Sequence, residues 1–149
     1  MAVMEDGFST TIAFSGLVEA TFCAKTVTPP ALIMGGANDV SCMSNTQYRT
    51  KASKKLIDLG DVTAVGYYNA SLYNSFISVL GLNQSITVQF PPVAGETTGG
   101  SLQFFGFLDS FTPGASDEGG APEATIVLVI TNRDPADGTE SAPVFTAGT

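Results

Sequence analysis

The sequence holds no histidine and no tryptophan, only two cysteines, and six lysines and arginines against fourteen acidic residues. Without histidine, every mechanism that uses an imidazole as base or metal ligand is excluded. The shortage of bases argues against a molecule that binds nucleic acid by neutralising phosphates over its whole surface. Cys23 and Cys42 lack paired metal-ligand spacing. They read as two small buried thiols in a reducing cytoplasm, with a Cys23–Cys42 disulfide as the alternative. Charged side chains make up 13% of the chain, where about a quarter is usual. So little charge suits a surface that faces other protein. No run approaches the ~18 apolar residues of a membrane span. Glu5 and Asp6 stand where a secretory signal would carry Lys or Arg. No membrane partner and no export are therefore expected, and the glycosylation patterns at Asn69-Ala70-Ser71 and Asn83-Gln84-Ser85 read as accidental.

What is present is a β pattern. A chain of 149 residues with 44% hydrophobic side chains suits one domain with a core of its own. Gly7 to Phe14 reads as a strand with Phe8, Ile12 and Phe14 on one face. Glu19 to Thr28 alternates Ala20, Phe22, Ala24 and Thr26 against Thr21, Cys23, Lys25 and Val27, until Pro29-Pro30 stops ladder pairing. Val62 to Tyr68 places Val62, Ala64, Gly66 and Tyr68 together, and Ser85 to Phe90 does the same with Ile86, Val88 and Phe90. Leu102 to Asp109 is apolar on both faces, with Leu102, Phe104 and Leu108 against Phe105 and Phe107. Such a strand belongs at the centre of a sheet or in an interface. Ala124 to Thr131 is the last strong strand; Phe111 to Glu123 reads as a loop and Asn132 to Thr149 as a polar tail.

The period changes once. Leu72, Phe76 and Leu80 lie four apart, which predicts one apolar stripe on a short helix over about 70–80. Asn69 or Ser71 serves as its cap and Gly81 as its left-handed terminus. So short a helix is not stable alone and must dock on a sheet.

Residues 31–59 form a long inter-strand loop without clear periodicity, and loops of that length in compact domains are usually functional. Four of the six bases, Arg49, Lys51, Lys54 and Lys55, fall here with no acid among them. The loop is a cationic arm on an anionic body. Three readings are open: an idle solvated run, a nucleic-acid contact, or a contact with the acidic surface of a neighbouring copy. Opposite patches on one molecule favour head-to-tail association, which builds rings and filaments. Nothing points to chemistry. The Gly99-Gly100-Ser101 turn lacks the lysine of a phosphate loop. Asp134-Pro135-Ala136-Asp137-Gly138 has the wrong spacing for calcium. No catalytic residue, metal or cofactor is expected.

The ordered series Val27-Thr28-Pro29-Pro30, Gly35-Gly36-Ala37-Asn38-Asp39-Val40-Ser41, Leu56-Ile57-Asp58-Leu59-Gly60-Asp61-Val62, Tyr67-Tyr68-Asn69, Phe90-Pro91-Pro92 and Phe104-Phe105-Gly106-Phe107-Leu108-Asp109 resembles the tail tube proteins of long-tailed bacteriophages. These are similar in fold to the type VI secretion and contractile-tail tube proteins. The likeness covers about residues 7–131, with Leu56, Asp58 and Gly60 as its Leu-x-Asp-x-Gly motif. Asp39-Val40-Ser41 and Ser44-Asn45-Thr46 are the nearest matches to an Asp-x-Thr. The resemblance implies a mainly β single domain over 1–131, a β-sandwich or half-barrel with one short flanking helix, followed by the 132–149 tail. It implies hexameric rings whose sheets join into a continuous barrel, stacked into a hollow tube, with the arm reaching the next ring. Phe104, Phe105 and Phe107 would then lie in the inter-subunit sheet. The implied partners are further copies, a tape measure protein and tail-end proteins, with DNA passing through but not held tightly. The implied place is the virion tail, assembled in the host cytoplasm. The competing class is an immunoglobulin-like capsid decoration or adhesion module.

Overall fold

The computed structural model describes residues 10–17, 21–115, 118–120 and 122–149. Phe8, Glu19 and Ala20, placed above on the first two strands, lie outside them. β1 (Thr10–Phe14) and β2 (Thr21–Thr28) form the first antiparallel pair. Four short strands follow: β3 (Leu32–Ile33), β4 (Ala37–Asp39), β5 (Lys51–Ser53) and β6 (Asp58–Leu59). Then come β7 (Val62–Tyr67), the helix α1 (Ala70–Val79), β8 (Gln84–Gln89), β9 (Ser101–Pro113), β10 (Glu123–Ile130) and β11 (Val144–Thr146). One sheet runs β10-β7-β2-β1-β8-β9-β11, and β10 also pairs with β9. Six strands thus close on themselves as an antiparallel barrel. The long strand β9 makes closure possible: Ser101–Gly106 pairs with β8, and Gly106–Pro113 pairs with β10. Between the sandwich and the half-barrel, the chain takes the barrel form and completes it. The two facing sheets of an immunoglobulin-like module do not form.

Strict alternation fills the interior. Ile12, Phe22, Val62, Ala64, Ile86, Val88, Leu108, Ile126 and Leu128 are fully buried, and each large one contributes about 1.5–3 kcal/mol on leaving water. Two bulges break the period. At Lys25 the β2–β7 register shifts, so Thr26, expected inward, is exposed and Val27 turns to the core instead. At Asp109 the β9–β10 register shifts between Val127 and Leu128. The strand continues past it to Pro113, and Phe111, expected in a loop, packs against the core. Gly66 has a steric reason. A Cβ there would strike the Cys23 carbonyl and the Phe22 ring, which lies across it.

α1 covers the barrel end at which β7 finishes and β8 begins. Asn69 Oδ1 accepts the Leu72 amide proton at 2.8 Å, so Asn69 is the cap. Gly81, at φ +76°, ends the helix, and its amide bonds to the Leu108 carbonyl at 3.0 Å. Leu72, Phe76 and Val79 face the core. Leu80, expected in the stripe, stands outside the helix as its C-cap in extended backbone and is exposed. Phe76 sits among Phe14, Phe22 and Phe111 at centroid distances of 5.4, 6.1 and 5.2 Å.

The segment 132–149 folds back onto the barrel. β11 pairs with Ser101–Gln103 of β9, Phe145 stacks on Phe90 at 6.1 Å, and Thr149 exchanges backbone bonds with Thr98. Asp134 and Asp137 accept amide protons from Ala136 and Thr139, each at 2.9 Å, so their carboxylates shape turns. Among the described residues no helix is long and apolar enough to cross a membrane.

Candidate assembly surface

The 31–59 segment is a ribbon, not the irregular loop its composition suggests. β3 pairs with β6 at its base and β4 with β5 above. Gly60 N–H donates to the Ala31 carbonyl at 2.9 Å and closes the base. At the tip, Thr50 N–H donates to Ser41 Oγ at 2.8 Å, and the Asn45 amide nitrogen reaches the Tyr48 carbonyl at 2.8 Å and Thr50 Oγ1 at 2.6 Å. Asp39 accepts the Ser41 amide proton at 2.9 Å and pairs with Arg49 at 3.3 Å. Hydrogen bonds from Ser41, with a smaller contribution from Arg49, hold the Asp39 carboxyl below its ordinary range. The polar residues that made the segment look structureless are the ones that tie its turns.

The ribbon has almost no core of its own. Leu32, Tyr48 and Leu56 are 78%, 82% and 82% exposed, and Val40, Met43 and Ile57 are exposed as well. Only Leu59, at the base, is buried. Apolar side chains are thus concentrated on the ribbon, with Leu32, Leu56 and Ile57 lining a pocket of about 260 Å³ beside Ala142 and Pro143 of the 132–149 segment. Lys51, Lys54 and Lys55 project from it and make no ion pair among the described residues; Arg49 is matched across the hairpin by Asp39. The free positive charge is therefore that of the three lysines.

The remaining expected site residues divide. In the Leu-x-Asp-x-Gly segment, Leu56 and Asp58 are exposed while Gly60 serves the base. Phe104, expected in an inter-subunit sheet, is 2% exposed and belongs to the subunit's own core. The pleat turns Phe105 and Phe107 to the outer face, where they are half-buried. Both thiols are free, but Cys23 and Cys42 are exposed rather than buried. Cys23 falls on the outward phase of β2, and Cys42 lies at the arm tip, where a 2.7 Å contact with Ser44 Oγ draws its pKa down.

A cavity of about 410 Å³ lies between α1, β2 and β7 and is lined by Thr21, Cys23, Tyr67, Tyr68, Asn69 and Ser71 among others. Among the described residues no carboxylate or amine lines it. Among the described residues no group of three His, Cys, Asp or Glu side chains could hold a metal.

No family model and no curated protein matches the sequence. Solved structures do. A chain of the anti-feeding prophage baseplate, 6-fold symmetrised, aligns over 99% of this chain and 97% of its own with a TM-score of 0.64 at 8% identity. A chain of the PVC extracellular contractile injection system, in its extended sheath–tube complex, aligns over 94% and 89% with a TM-score of 0.59 at 11% identity. Hcp1 from Flavobacterium johnsoniae aligns over 83% and 90% with a TM-score of 0.52, also at 11% identity. At such identities the likeness is one of fold, and the fold of this chain is similar to that of the tube proteins of contractile injection systems.

Proposed function

We propose that this chain is a structural tube subunit and not an enzyme. Copies join into rings that stack into a hollow tube, the tail tube of a long-tailed bacteriophage, through which DNA passes. Six subunits per ring is the number favoured by the 6-fold symmetrised baseplate to which the fold is similar. The tube would meet a tape measure protein inside and tail-end proteins at its termini. Its place would be the virion tail, built in the host cytoplasm.

The observation that carries this reading is the arm. The barrel is complete within one copy, yet a ribbon of exposed apolar side chains and three free lysines stands out from it. A chain that functioned alone would have no use for that surface. A self-assembling one would bury it, along with the half-buried aromatics Phe105 and Phe107. The test is assembly: sedimentation against concentration and salt, with negative-stain imaging. Rings and tubes of uniform width are expected. A chain that stays monomeric throughout would sink the reading.

A further inference from the structure

We infer that the 132–149 segment is a strap that clasps the base of the arm, drawing Lys55 onto Glu140 across the pocket between them. The clasp lies within a single copy and does not rest on the tube reading. The arm has a thin root. It joins the barrel through Pro29-Pro30, which cannot donate to a ladder, and through two residue pairs, Leu32 with Leu59 and Ile33 with Asp58, closed by the Gly60–Ala31 bond. Among these strand residues Leu59 alone is buried. A root with so little buried contact opens at low cost unless something else holds it.

Three observations make the strap that holder. The first is position. Asn83 Nδ2 donates to the Arg133 carbonyl at 3.0 Å and Ser141 N–H to the Asn132 carbonyl at 2.8 Å, which ties the start of the segment to the barrel. The pairing of β11 with β9 and the stack of Phe145 on Phe90 tie its far end. Glu140, Ala142 and Pro143, held between these anchors, form one wall of the pocket of about 260 Å³ whose other wall is the arm base. The second is apolar surface. Leu32, Leu56 and Ile57 are exposed on that other wall. A small inward movement lays them on Ala142 and Pro143 and takes apolar area from water. The third is polarity. Lys55 and Glu140 both line the pocket, both are exposed, and neither makes an ion pair among the described residues. Asn132 lines it too, and its amide oxygen is buried without a hydrogen-bond partner among the described residues. A buried acceptor left unpaired is costly. A lysine carries three protons, enough for the carboxylate and the amide oxygen together.

Carbodiimide coupling of a mixture of light and heavy-isotope-labelled full-length chains tests the contact. A Lys55–Glu140 amide joining peptides of one label is expected. Its absence, or its appearance only between peptides of different label, would overturn the inference. Amide exchange at Gly60 tests the consequence. Lys55→Ala and Glu140→Ala, both at exposed positions, should keep the far-UV spectrum and each speed this exchange about twofold to fivefold, as one exposed ion pair allows. The double variant should go no further than either single one. Exchanging the charges, Lys55→Glu with Glu140→Lys, should restore the slow rate. Gly60 exchange unchanged by both single substitutions, or single effects that simply multiply in the double variant, would refute the clasp. None of these readouts requires tubes, so the tube reading stands or falls by its own test.

Discussion

Replacing Phe76 by alanine tests what pins the helix to the barrel, because its neighbour Ile77 points the other way and serves as the control. Phe76 is 1% exposed and rests on three phenylalanine rings. Truncating a buried Phe costs about 3–5 kcal/mol. The upper part of that range is expected, since each lost aromatic pair adds about 0.5–1.5 kcal/mol beyond area alone and the barrel wall cannot collapse into the gap. A domain of this size is stable by only about 5–15 kcal/mol. In urea, with a slope of about 2 kcal/mol per molar, a loss of about 4 kcal/mol lowers the midpoint by about 2 M. Ile77→Ala, at a 64% exposed position, should change stability by no more than about 0.5 kcal/mol. Equilibrium unfolding followed by far-UV circular dichroism reads both. A shift below about 0.5 M for Phe76→Ala at unchanged slope would refute the claim that the helix is pinned to the barrel through this ring.

Amide exchange over 43–55 should be fast in the monomer, where a narrow ribbon has little buried contact, and slow sharply in tubes; equal protection in both states would contradict docking of the arm. Maleimide labelling should follow suit, rapid at Cys42 in the monomer, whose thiol is exposed and drawn towards thiolate by Ser44, and slow after assembly. Changing Arg49, Lys51, Lys54 and Lys55 to Glu should spare the monomer fold and block stacking; one exposed pair is worth about 0.2–1 kcal/mol, so single changes should be weak, Arg49 least of all because Asp39 already holds it. Normal tubes from the quadruple variant would make the arm's charge incidental. Assembled tubes should not bind short DNA duplexes tightly at low salt, where duplex charge of about one per ~1.7 Å would find any cationic lining. Outside the arm only Lys25 and Arg133 are basic, and Lys25 already pairs with Glu123 at 3.3 Å. Tight binding that collapses with salt would point to a cationic lumen instead.

Much of the barrel was legible because its strands alternate. Ile12 with Phe14, Val62 with Ala64 and Ile86 with Val88 all took the side that period two assigns. The misses have local causes. A bulge costs one residue of phase and leaves no mark in composition, so Thr26 and Phe111 changed sides. The helix stripe was read one residue long because Leu80 and Val79 are equally apolar, and only the turn at Gly81 decides between them. The arm was legible as a charge cluster but not as a ribbon. Its pairing depends on side chains such as Asp39, Ser41 and Asn45 bonding locally, and those residue types equally describe a loop. The tail hid its strand because three residues, Val144–Thr146, are too few to show a period.

The place of β10 in the chain bears on when a subunit becomes usable. β10 is the strand that locks to both β7 and β9, and it is synthesised long after the arm. A nascent chain emerging from the ribosome therefore exposes its sticky ribbon first, at a stage when no closed body exists to carry it. Closing the ring of strands must wait for distant partners to meet, a slow event because loop closure precedes its reward. Ser110 and Phe111 take their places on β9 in the same step, since both pair with β10. The arm and the barrel thus mature in sequence, and on the proposed tube reading a half-made chain would present an arm before it had a body. On the proposed tube reading, growth would then be metered by completed subunits.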